Sequence, residues 1–224
     1  MKRIVILIIL LLCASVQATN ITKSQGELMD WTLLDDTGSA TMFLESAVFD
    51  AGEGYDDSLS STLLVTMVNI GAAGTAGAQG FAVYVRMGAT DESWRQFQKL
   101  PMDATASTVG DLDDGAAAAQ AVIPLTATTG FETPGSMYFI RDETTIADSA
   151  LVIFGGTYTN DVSITVIDNL VNTYDASDNM YSNVQQWPIV LPGGCDEAKV
   201  LFFNGDADAN YACRVDYANQ DEIE

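Results

Sequence analysis

Along most of this chain apolar residues recur at every second position, a period that fits a β-strand with one buried face and does not fit a helix. In residues 81–87, Phe81, Val83, Val85 and Met87 share an apolar face, while Ala82, Tyr84 and Arg86 take the other. In Val162-Ser163-Ile164-Thr165-Val166 the two hydroxyl residues alternate outward. Tyr211, Cys213, Val215 and Tyr217 likewise stand opposite Arg214 and Asp216. Further strands are predicted over 41–49, 62–69, 120–126, 137–141, 151–158, 188–191 and 199–203, with clusters of Gly, Asp, Asn and Ser between them. The best helical stretch, residues 116–121, is too short to matter. The expected fold is therefore all-β, a single antiparallel β-sandwich or jelly-roll-like domain over residues 31–217.

The first 18 residues read as an export signal, with Met1-Lys2-Arg3 as a basic start, an apolar run over 4–12, and Val16 and Ala18 before the cleavage point. That run is far shorter than the roughly 20 residues a spanning helix needs, so no membrane association is expected after cleavage, and the protein is expected to be secreted or at the cell surface. Residues 19–30 read as a polar arm able to add a strand to a neighbour's sheet edge, and 218–224 as an acidic tail. Cleavage removes Cys13 and leaves Cys195 and Cys213 in an oxidising compartment. The expectation is a disulfide clamping a C-terminal hairpin, contributing about 3 kcal/mol in the chain-entropy model.

Acidity bounds the partners. The chain has 31 Asp and Glu against 9 Lys and Arg, no His, and a net charge of -22. Nucleic acid and anionic membrane surfaces call for basic patches, so both are excluded as partners. In residues 204–210 oxygens fall at alternate positions on Asn204, Asp206, Asp208 and Asn210. Calcium takes six to eight oxygen ligands, so this loop is the candidate calcium site; it is not an EF-hand, because Tyr211 and Tyr217 stand where Gly and Glu are required.

Enzymatic schemes find little support. Without His, nothing obvious accepts a proton from a Ser or Cys nucleophile. Asp36-Thr37-Gly38-Ser39 matches the aspartic-protease core tripeptide, but Asp35 interrupts the apolar lead-in and no second copy exists, so it reads as a turn. A carboxylate pair for glycoside hydrolysis has no residue that singles itself out. The most distinctive segment, 84–97, runs from a strand through an acidic turn to Trp94 and Arg95, similar to the strand-turn-strand edges of extracellular jelly rolls. Trp94, with Tyr84 and Arg95, is the candidate for stacking on a sugar ring. The expected function is that of a non-enzymatic structural or adhesive subunit of an extracellular assembly, with itself or surface glycans as partner. A carbohydrate-binding module stabilised by calcium, and a carboxylate-dependent hydrolase, are the alternatives.

Overall fold

A computed structural model of the chain describes residues 21–34, 42–51, 58–87 and 93–223. Residues 1–18, read above as an export signal, and Asp36-Thr37-Gly38-Ser39, read as a turn, lie outside the described residues. Within them the fold is nearly all β and antiparallel, and its one helical element is a 3-10 turn at Ile146–Asp148.

Two sheets enclose the first core. One has four strands in the order β1 (Ile21–Leu34), β15 (Tyr211–Ile223), β4 (Ser58–Asn69) and β13 (Val184–Val190). The other runs β2 (Met42–Glu45), β14 (Cys195–Asn204), β5 (Gln79–Met87), β6 (Arg95–Pro101), with β3 (Phe49–Asp50) also paired to β14. The alternation read in the sequence supplies the inner faces: Leu63, Val65 and Met67 from β4 and Tyr211, Cys213 and Val215 from β15 meet Phe81, Val83 and Val85 from β5 and Ala198, Val200 and Phe202 from β14. The expected arm joins this sheet, since residues 21–30 are the first part of β1, hydrogen-bonded to β15 of the same chain. The expected acidic tail continues β15 as far as Ile223.

Between β6 and β13 the chain builds a second unit. Its six strands run β7 (Val109–Asp111), β12 (Asn179–Tyr181), β9 (Met137–Arg141), β10 (Ala150–Thr159), β11 (Ser163–Val166), β8 (Val122–Pro124). The two ends of this sheet meet at a Leu112–Leu125 bridge, flanked by hydrogen bonds from Asp113 N to Pro124 O and from Thr126 N to Asp111 O. The sheet is thereby closed into a small barrel, filled by side chains such as Ile123, Phe131, Ile140, Phe154, Ile164 and Met180. Strand β10 serves both halves, pairing with β9 and then, past a register break at Gly155 and Gly156, with β11. Gly156 has φ +90, a conformation that glycine adopts without strain. A third cluster joins the units: Trp31, Val68, Ile70 and Ala212 of the sandwich against Phe139 and Tyr181 of the barrel.

The disulfide-clamped hairpin is corrected. Cys195 and Cys213 are free, buried thiols, and β14 and β15 do not pair with each other. Each strand carries its apolar residues on one face, and those faces meet across the core, so residues 204–210 form an arch between sheets. Cys195 stands nine residues before the arch and Cys213 two residues after Tyr211. At about 3.3 Å per residue, that places them near opposite ends of the sandwich. A disulfide needs Cα atoms within roughly 7 Å.

Candidate functional site

The arch is organised by its own side chains. Asn204 is fully buried; its amide donates to Ala209 O at 2.6 Å and its Oδ1 accepts from Asp206 N at 3.0 Å. Asp206 in turn accepts from Asp208 N at 3.1 Å and from Thr75 N at 2.6 Å. Its carboxyl is held below the usual range, first by the Thr75 hydroxyl and then by the Asp208 N–H. Asn204 and Asp206 thus form successive Asx turns, each side chain accepting from the N–H two residues on. The Asn210 carbonyl accepts from Ile70 N at 2.9 Å. Among the described residues, no three Cys, Asp or Glu side chains gather where a metal ion would need them.

The outward face of the five-stranded sheet is different in kind. Register sets its residues in cross-strand rows: Phe43, Phe203 and Gly80; Glu45, Leu201, Ala82 and Lys99; Lys199, Tyr84 and Gln96; then Glu197 and Arg86. Phe43 is 61% exposed at the sheet edge, and Lys99 Nζ lies 4.5 Å from the Phe203 ring centroid. Phe43, Tyr84, Gln96, Lys99, Leu201 and Phe203 border an open depression of about 190 Å³.

Trp94 lies on this face, half-buried, with Lys199 Nζ 4.6 Å and the Arg86 guanidinium 5.4 Å from its ring centroid. Lys199 is paired with Glu45 at 2.9 Å and Arg86 with Glu197 at 2.5 Å. Much of the stacking capacity of Trp94 is therefore engaged by cations of its own sheet. The structure brings Tyr84 and Trp94 to one face and starts β6 at the exposed Arg95. Phe43, Lys99, Lys199, Leu201 and Phe203 were not singled out from sequence. The signal was available: strand period alone turns Lys199, Leu201 and Phe203 away from the core that Val200 and Phe202 enter.

A larger cleft, about 520 Å³, opens on the four-stranded sheet around Gln25, Glu27, Leu64 and Arg214. Its cation is taken: Arg214 contacts Glu27 and Asp216 at 2.9 Å and Asp30 at 3.7 Å. Three carboxylates on one guanidinium leave that cleft acidic and its arginine saturated.

No known family profile matches the chain. No characterised protein matches it by sequence. Solved structures give distant likenesses. The catalytic domain of an alpha-1,3-glucanase in complex with nigerose is 9% identical with TM-score 0.27, covering 92% of this chain and 29% of that one. The chain thus spans less than a third of that protein's length. The potassium-bound Emp46p carbohydrate recognition domain is 10% identical with TM-score 0.28, covering 87% of each chain. VP17, a capsid protein of bacteriophage P23-77, is 10% identical with TM-score 0.19, covering 93% of this chain and 100% of that one.

Proposed function

We propose that the protein is a non-enzymatic, exported β-protein that works by surface contact, as a structural or adhesive subunit of an extracellular assembly. The observation that carries this reading is the outer face of the five-stranded sheet, where Phe43, Tyr84, Leu201 and Lys99 border an open depression on a chain of net charge -22. Aromatic and long cationic side chains at the centre of a patch are the residue types that dominate protein–protein contacts. The test is light scattering on the purified protein. Wild type should run as oligomers or filaments, and Phe43→Asp as a monomer with an unchanged melting temperature. A wild type that stays monomeric at every concentration overturns the reading.

Carbohydrate binding is the second reading, favoured by the meeting of Tyr84 with Gln96 and Lys99 at the same depression: a ring to stack on and two polar groups to orient hydroxyls. It expects glycan affinity that Tyr84→Ala removes. A calcium ion at the arch would add to a loop whose Asx turns already close it.

A further inference from the structure

We infer that one end of the sandwich core is a binding site for a buried, ordered water, held between the Gln79 amide and the Tyr211 hydroxyl. The site is independent of the contact reading above and lies inside the sandwich, beneath the arch. The inner faces of the two sheets are apolar until their last layer, where the strands end in polar residues. Asn69 closes β4, Gln79 opens β5, Asn204 closes β14 and Tyr211 opens β15. Register pairs Asn204 with Gln79 in one sheet and Tyr211 with Asn69 in the other. All four residues are fully buried.

The two asparagines are satisfied by the segments that close this end. Asn69 Nδ2 donates to Ala72 O at 3.0 Å and to Thr105 O at 3.1 Å, and its Oδ1 accepts from Gly71 N at 2.8 Å. Asn204 fastens the arch, and Gly205 N bonds Ala78 O at 2.9 Å, tying the arch to the segment that Asn69 holds. Gln79 and Tyr211 differ. Among the described residues, neither Oε1 nor Nε2 of Gln79 nor the Tyr211 hydroxyl has a hydrogen-bond partner. Buried amides and hydroxyls are costly in that condition, and folded proteins satisfy them with protein groups or with internal water.

The orphaned groups converge on one point. A Cβ built on Gly74 would lie 2.8 Å from Tyr211 Oη and 3.2 Å from Gln79 Nε2, so those two atoms are no more than 6.0 Å apart. A water bonded to each at about 3 Å spans that gap. Gly74 and Ala209, the other residues at this point, bring no polar side chain to serve in its place. Burial, and after it the Asp206 carboxylate, pushes the Tyr211 hydroxyl well above its ordinary value, so it keeps its proton as a donor. Two of the three orphaned atoms, Nε2 and Oη, thus carry protons, which suits water better than a metal ion.

High-resolution crystal structures of the full protein, grown once with calcium and once with a chelator, test the inference. Both should show an ordered oxygen within hydrogen-bonding distance of Gln79 and Tyr211. A Gln79 amide turned to bond Tyr211 directly, a dry site, or an ion ringed by six or more oxygens overturns it. Magnetic relaxation dispersion of water oxygen reads the same site in solution. A long-lived water present in wild type should be lost in the double variant Gln79→Leu, Tyr211→Phe, which keeps its fold because both polar groups give way to apolar ones of similar shape. Equal signals from the two folded proteins overturn the inference. Urea midpoints supply a third reading: each single variant should lower the midpoint, and the double variant by less than the sum of the two, because both groups serve one water. Strictly additive changes overturn the shared site.

Discussion

Asp142 accepts hydrogen bonds from Thr144 N at 2.8 Å, Thr145 N at 2.7 Å and the Thr144 hydroxyl at 2.7 Å. Burial pushes its carboxyl up, but those bonds outweigh burial and hold it below the usual range. Asp103 with Thr105 and Asp175 with Ser177 repeat the device, and both carboxyls are lowered by their hydroxyl partner first and its backbone N–H second. Asn204 and Asp206, read from sequence as part of a calcium loop, close turns in the same way. The two uses share one signature, an oxygen two residues before the group it serves, so residue order alone does not separate them. The thiols carry the prediction at this scale. Burial pushes Cys195 up to about 11 and Cys213 well above its ordinary value. Both should resist a thiol reagent at pH 8 in the native protein and react fully in denaturant, whereas a disulfide would leave them silent in both. Since the folded values lie above the unfolded ones, near 9, their contribution to stability is complete below pH 9 and is lost as pH rises toward and through 11. Denaturant midpoints measured across that range should fall.

Strands β5, β11, β14 and β15 could be read directly because each buries every second side chain over at least four residues. Strand β1 could not: its buried residues, Trp31 and Leu34, come at its end, and its pairing with β15 shifts register three times, which breaks the alternation. Strand β8 lies inside the strand predicted over 120–126, but β7 and β12 have three residues each, too few to show a period, and the barrel they help close was invisible for that reason. The arch was misread as a hairpin because alternation reports that a face is buried and says nothing of which sheet it belongs to. One residue holds the outer face of the five-stranded sheet in place. Gly80 has φ +151 and stands opposite Pro101; a Cβ there would lie 2.8 Å from Pro101 Cα and overlap the Leu100 carbonyl oxygen. Gly80→Ala should therefore part β5 from β6 and destabilise the protein by roughly 2 kcal/mol or more, through backbone strain. An unchanged urea midpoint would contradict this.

The molecule is a sandwich and a barrel joined by a small aromatic seam. Trp31 is 3% exposed and its ring centroid lies 4.4 Å from that of Phe139, which in turn lies 6.4 Å from Tyr181. Nothing in the sequence marks Trp31 as a joint, since a lone Trp in a polar segment looks the same whether it covers a hairpin or bridges two units. Trp31→Ala should cost about 3–5 kcal/mol, the range for deleting a large buried aromatic side chain. It should also uncouple the two units, so that the variant unfolds in two transitions where wild type is expected to show one, with Trp94 and Trp187 fluorescence following the sandwich and far-ultraviolet circular dichroism following both units. One coincident, unshifted transition would show that the seam is dispensable. The pairing of β1 with β15 sets Ile21 opposite Ile223, so the first described residue of the chain meets the last. Among β1 to β6, the only pairing available before residue 184 is the β5–β6 hairpin, because every other sandwich ladder includes β13, β14 or β15. The barrel, drawn from the contiguous residues 109–181, has all its partners by then. A growing chain thus holds every partner of its barrel while most sandwich strands still lack theirs, and non-local pairing of that kind is slow and open to aggregation. Timing, more than strength, makes the last forty residues decisive, because their arrival is what gives the waiting sandwich strands their partners.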